Sequence, residues 1–227
     1  MPNPDRLLRA RRGGPGPLTA GAVAVALAAG GIWLLRDGTA DGAGPPLPPP
    51  SVPTSALRSP SASASPTRPA PAVPPLPASV PTRIRIPAIK VDAPMVGLGL
   101  GTSRQLATPP MEQRNLAGWY RDGPAPGAAG NAITIGHADN RSGPAVFYRL
   151  GLLRPGNTVE VTRKDRRTAV FTVDSVRVFL KKDFPDALVY GATDQAELRV
   201  ITCGGRFDKH TGYESNTVVF AHLSAVR

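Results

Sequence analysis

From Arg83 to the C-terminus, short apolar and β-branched runs alternate with polar residues and are broken by glycine and proline. The runs are Ile84-Arg85-Ile86, Val91 to Leu100, Ala132 to Ile135, Thr158 to Thr162, Ala169 to Phe179, Glu197 to Thr202 and Thr217 to Phe220. Apolar and polar positions alternate in Val159-Glu160-Val161 and in Phe171-Thr172-Val173-Asp174, the period of a strand with one wet face. Their even spacing predicts a small all-β barrel or sandwich. Helical periodicity is sparse. Short helical turns are expected over residues 143–150 and 183–189, and Asp194 is placed to cap a turn before the strand that leads to Cys203.

The first 80 positions carry a different pattern. Leu18 to Leu35 is free of charge, is preceded by Arg6, Arg9, Arg11 and Arg12, and is followed by Arg36-Asp37. Its length matches the lower end of the ~17 to 25 residues of a membrane-spanning helix, and the upstream arginines place the N-terminus in the cytoplasm. A cleaved signal peptide is the competing expectation. The run is longer than the ~7 to 15 residues of a signal core, and Trp33 near its outer end suits a membrane interface. Between Gly38 and Val80 lie 13 of the 27 prolines and no aromatic residue. Such a segment cannot bury enough apolar surface to offset chain entropy, and it is expected to be a disordered spacer reaching on the order of 100 Å. The expected organisation is a basic cytoplasmic N-terminus over residues 1–17, a single-pass helix over 18–35, a Pro/Ser/Ala-rich linker over 36–80, and an extracellular domain over 81–227.

Charge narrows the partners. The net charge of +11 divides into +4 before residue 81 (seven basic, three acidic) and +7 after it (20 basic, 13 acidic). Wall polymers and anionic lipid headgroups fit this balance, whereas no basic stripe interleaved with aromatics points to nucleic acid. Arg163-Lys164-Asp165-Arg166-Arg167 is expected to be a solvated hairpin tip.

Cys203 is the one cysteine, in Ile201-Thr202-Cys203-Gly204-Gly205 at the end of a β-prone run. Intramolecular disulfides and cysteine-cluster metal sites are thereby excluded, which leaves a core thiol or a nucleophile. Cysteine catalysis requires a proton carrier beside the thiolate and a donor for the oxyanion. Of the three histidines, His137 ends the run Ile133-Thr134-Ile135-Gly136, His210 lies in a turn, and His222 follows the last strand as a surface or packing residue. Two reactive side chains at strand ends beside small residues can meet at one edge of a barrel. Spacing alone leaves that pairing open against a core cysteine and an ordinary surface histidine.

Three segments resemble, in order and separation, the sortase transpeptidases: Gly136-His137-Ala138-Asp139-Asn140, Gly143-Pro144-Ala145-Val146-Phe147-Tyr148-Arg149-Leu150, and Ile201-Thr202-Cys203-Gly204-Gly205-Arg206-Phe207-Asp208. The resemblance spans residues 81–227, and its Gly-Gly-x-Phe-Asp continuation is similar to the actinobacterial class F group. It implies an eight-stranded β-barrel with short helices. It further implies that Cys203 attacks the Thr-Gly bond of a Leu-Pro-x-Thr-Gly-like sorting signal on a surface protein, forming a thioester. His137 would protonate the leaving amine, Thr202 would help hold substrate, and an amine from a peptidoglycan precursor or another protein would resolve the acyl-enzyme. No cofactor or metal is implied.

The sequence departs from the family where an arginine is expected, in Tyr-Arg-x-Asn; here it reads Tyr213-Glu214-Ser215-Asn216. An acidic side chain cannot donate to an oxyanion, and Arg206, three residues after the thiol, is the candidate to supply the charge instead. Two alternatives stand beside a sortase. One is another wall-modifying cysteine transpeptidase, such as an L,D-transpeptidase, whose Ser-His-Gly-Cys-type signature is absent. The other is a membrane-tethered surface binding module with a non-catalytic thiol.

Overall fold

The computed structural model describes residues 44–49, 73–102 and 105–227. The membrane span expected at residues 18–35 and the greater part of the proline-rich segment lie outside the described residues. Among the described residues no helix is long and apolar enough to cross a membrane.

Ten strands follow in chain order among the described residues: β1 Pro81–Ile86, β2 Val91–Leu98, β3 Ala117–Tyr120, β4 Gly130–Ile135, β5 Asp139–Asn140, β6 Gly143–Pro144, β7 Thr158–Arg163, β8 Thr168–Leu180, β9 Ala196–Asp208 and β10 Gly212–Val226. Eight of them close a barrel in the order β1-β2-β3-β4-β9-β10-β8-β7, while β5 and β6 form a separate small hairpin. Among the described residues one short α-helix, α1 Asp186–Tyr190, lies between β8 and β9, and single 3-10 turns stand at Pro87–Ile89, Leu150–Leu152 and Lys181–Asp183. The fold is thus the mainly-β closed barrel that the resemblance implied.

Alternation builds the interior. Ile84 and Ile86 of β1, Val159 and Val161 of β7, Phe171 and Val173 of β8, Leu198 and Val200 of β9, and Val219 and Ala221 of β10 all point inward and are buried. Each of the larger side chains contributes roughly 1.5–3 kcal/mol by leaving water. β4 and β9 pair in parallel at the centre of the sheet and are covered on both faces. Their outward residues Ile133 and Ile201 join Val218, Phe220 and Val189 in a second apolar cluster under α1. Strands buried on both sides read as continuous apolar runs, which is how Ala132 to Ile135 appears in the sequence. Asn131 of β4 fixes α1 by donating its amide to the carbonyl of Val189 at 2.8 Å.

One expectation needs correction. Residues 164–167 do form the hairpin tip between β7 and β8, but Arg163 is not solvated: its side chain is fully buried and donates to the carbonyls of Pro126, at 2.8 Å, and Pro77. It also pairs with Asp165 at 2.9 Å, and the guanidinium hydrogen bond holds that carboxyl below its ordinary range. Described residues upstream of 81 also pack on the barrel. Leu76 donates its N–H to the Gly127 carbonyl at 2.7 Å, and Lys164 donates to Val80 at 2.9 Å. Pro45 is buried, and Pro46 lies so close to Gly151 that a Cβ on that glycine would sit 1.9 Å from the Pro46 carbonyl oxygen.

Candidate active site

The parallel pairing of β4 with β9 sets Ile135 opposite Ile201. Beyond this pair Gly136 still donates its N–H to the carbonyl of Ile201, at 3.2 Å. His137 lies two positions after Ile135 and Cys203 two positions after Ile201. β4 ends at Ile135, so His137 stands just past the end of its strand while Cys203 lies within β9. Both line one open cavity of about 920 Å³. Asp139 and Arg141 from the β5–β6 side, and Phe207 and Tyr213 from the β9–β10 ribbon, complete its wall.

β9 does not end at Cys203, as the sequence suggested, but runs on to Asp208 as a ribbon with β10. The two glycines after the thiol make that path possible. A Cβ at Gly204 would meet Thr217 Oγ1 at 2.5 Å, and Gly205 holds φ +80, a left-handed conformation costly to residues with side chains. The register between β9 and β10 shifts at this point, between Tyr213 and Ser215. Cys203 is half-buried, opposite Asn216 of β10.

His137 is oriented by the chain, with its Nε2 2.7 Å from the carbonyl oxygen of Pro109. A carbonyl only accepts, so Nε2 carries a hydrogen in this arrangement and Nδ1 is the nitrogen left to exchange a proton with a reacting group. Across the cavity Tyr213 donates its phenol to the Asp139 carboxylate. Burial, and then that carboxylate, push the phenol's pKa well above its ordinary value, so the ring stays neutral. Phe207 packs edge-on against Tyr213 with centroids 5.1 Å apart.

Thr202 is buried, and its hydroxyl donates to the Gly136 carbonyl at 2.8 Å instead of facing the cavity. Arg206 also lies outside the cavity wall. Its exposed guanidinium pairs with Glu214 at 3.4 Å, and its backbone N–H donates to the same carboxylate at 3.3 Å. The cation beside the thiol is one that sequence reasoning missed: Lys181 Nζ is 3.9 Å from Cys203 Sγ. Only the pairing of β8 against β10 brings position 181 to this place, and no local motif announces it. His210 is exposed, and His222 bonds Asp174 at 2.6 Å on the barrel's outer surface. Among the described residues no cluster of three or more His, Cys, Asp or Glu side chains could hold a metal ion.

A family model of the sortase domain matches residues 84–224, well over half of the chain. The chain belongs to the sortase family. Members of this family are cysteine transpeptidases, and Cys203 is the one cysteine available for that chemistry here. A search of curated proteins returns no match. Among solved structures, sortase A from Listeria monocytogenes is 21% identical, with 66% of this chain and 90% of that one covered at a TM-score of 0.48. Sortase A from Corynebacterium diphtheriae is 20% identical, with 66% and 62% covered at a TM-score of 0.49. A sortase D5 transpeptidase from Clostridium perfringens is 20% identical, with 65% and 79% covered at a TM-score of 0.48.

Proposed function

We propose that this sortase cleaves a Leu-Pro-x-Thr-Gly-like sorting signal between Thr and Gly through a thioester on Cys203, and transfers the released carboxyl to an amine of the cell wall. The observation that carries this function is that His137 and Cys203, each two positions beyond the paired Ile135 and Ile201, line one cavity. The Cys203 thiolate attacks the Thr carbonyl carbon, and the carbonyl π electrons move to oxygen. Collapse of that intermediate breaks the C–N bond, and the departing glycine amine takes the proton from His137 Nδ1 while Nε2–H stays on Pro109. The acceptor amine then attacks the thioester, returns a proton to Nδ1 and releases the thiolate. General acid–base help of this kind is worth about 10²–10⁴-fold. Passing through a covalent acyl-enzyme lets an amine compete with water for the carbonyl.

The Cys203-Gly204-Gly205-Arg206-Phe207-Asp208 stretch supports a place in class F. The charge-free run at residues 18–35 and its upstream arginines support a membrane-held enzyme with the barrel outside the cell. Substrates would then be surface proteins with C-terminal sorting signals, and acceptors peptidoglycan precursors or other wall amines.

The test incubates the full-length protein with a fluorogenic Leu-Pro-x-Thr-Gly peptide and graded concentrations of a glycine-based amine. The expected result is amine-dependent formation of the Thr-linked transfer product, lost in Cys203→Ala and strongly reduced in His137→Ala. Cleavage that persists undiminished in Cys203→Ala would refute the proposal.

A further inference from the structure

Lys181 lies beside the Cys203 thiol, a place its sequence context conceals. It follows the last residue of β8, whose Leu180 faces Ser215 of β10. On the other edge of β10, Asn216 faces Cys203. The strand ends there, and Lys181 opens a single 3-10 turn, Lys181–Asp183. The side chain at 181 lies at the thiol end of the three-stranded group, with its Nζ 3.9 Å from Sγ.

The other nearby cations are placed differently. Arg206 is held by Glu214, and Lys182 pairs with Asp183 at 3.8 Å. Arg141 belongs to the opposite wall, on the turn between β5 and β6. Among the described residues no carboxylate forms an ion pair with Lys181, so its charge is not already matched. An ammonium is a compact point charge with three donors on a flexible stem, able to follow charge from a sulfur to an oxygen a few ångströms away.

We propose that Lys181 is the catalytic cation of this enzyme: its ammonium pairs with the Cys203 thiolate before attack, then donates to the oxyanion formed when sulfur adds to the Thr carbonyl. Lys181 stays protonated throughout. The S–C bond forms as the π pair moves to oxygen, the leaving amine's proton comes from His137, and no proton passes through Lys181. The role rests on the sortase chemistry proposed for Cys203, and it gives the site a cation although Glu214 stands at the position where an arginine was expected.

The experiment compares full-length wild type with Lys181→Met, Lys181→Arg and, as control, Lys182→Met in two assays. One follows alkylation of Cys203 by iodoacetamide at neutral pH, which requires no peptide. The other measures kcat/KM for sorting-peptide cleavage. Expected are slower alkylation in Lys181→Met, a fall in kcat/KM on the order of 10²-fold, recovery of most of both in Lys181→Arg, and no change in Lys182→Met. Alkylation at the wild-type rate in Lys181→Met overturns the proposal, as does slowed alkylation with unchanged kcat/KM. A hydroxylamine-resistant acyl group found on Lys181 also overturns it, by making the lysine an acceptor amine. If wild type cleaves no sorting peptide, the substrate assignment fails, and the alkylation assay alone decides whether Lys181 acts on the thiol.

Discussion

Thr202 donates its buried hydroxyl to the Gly136 carbonyl at 2.8 Å, across 66 positions of sequence. One bond thereby ties the residue before Cys203 to the residue before His137. The two side chains to which we assign the chemistry are thus carried on neighbouring segments locked to each other as well as to the barrel. Thr202→Val keeps the shape but leaves the Gly136 carbonyl without its partner, at a cost of about 1–3 kcal/mol. The expected outcome is a lower Tm and a kcat loss larger than the loss of folded protein accounts for, with both largely restored in Thr202→Ser. Thermal unfolding and steady-state kinetics on the three proteins check it.

Arg163 is expected to be the most sensitive charged residue of the barrel outside the site. Removing its guanidinium in Arg163→Met strands the buried carbonyl of Pro126, at about 1–3 kcal/mol, and also breaks the bond to the exposed Pro77. Asp165, whose pKa is lowered by that guanidinium, stabilises the fold above its unfolded-state pKa and ceases to do so as pH falls through its folded value. Wild type should therefore lose stability in acid below about pH 4 more steeply than Arg163→Met. Denaturant titrations at pH 3 and pH 7 measure the difference.

Tyr213→Phe tests the other side of the cavity. The phenol's pKa is raised by burial and by Asp139, so the neutral ring favours the folded chain. That contribution is complete below about pH 10, where an unfolded tyrosine begins to ionise, and is lost as pH climbs toward the folded value. The variant should lack this part of the alkaline destabilisation while losing about 1–2 kcal/mol at neutral pH from the missing hydrogen bond to a carboxylate. Urea midpoints from pH 7 to 11 are the measurement.

Much of this architecture was legible in the sequence because burial on one face leaves a period-two trace, as in Val159-Glu160-Val161 of β7 and Phe171-Thr172-Val173 of β8. His137 and Cys203 were legible too, each at the end of a β-prone run beside glycine. The rest depended on partners distant in the chain. Arg163 looked like one more charge at a hairpin tip, since the carbonyls that bury it come from residues 77 and 126. Nothing in its local sequence marks Lys181, and the pairing of β8 with β10 brings it to the thiol. Thr202, expected to hold substrate, has its hydroxyl bound to Gly136, a contact that requires knowing which strand lies beside β9.

Gly204 and Gly205 should resist substitution for different reasons. Gly204→Ala places a methyl 2.5 Å from Thr217 Oγ1, so the buried Thr217 side chain must shift beside the thiol strand. Gly205→Ala forces a residue with a Cβ to hold φ +80, about 1–2 kcal/mol of strain. Both variants should unfold at lower temperature, and Gly204→Ala should lose more activity because it disturbs the β9–β10 contact next to the thiol. Calorimetry together with peptide cleavage separates the two effects.

The central claim is that Cys203 becomes acylated by a sorting signal. Intact-protein mass spectrometry of the full-length enzyme, quenched in acid during turnover of a Leu-Pro-x-Thr-Gly peptide without added amine, observes it directly. The expected spectrum shows a hydroxylamine-sensitive increment equal to the peptide acyl group through Thr, mapped to Cys203 and absent in Cys203→Ala. A folded wild-type sample that carries no such adduct across a panel of sorting sequences, or that carries it at a residue other than Cys203, would contradict the account.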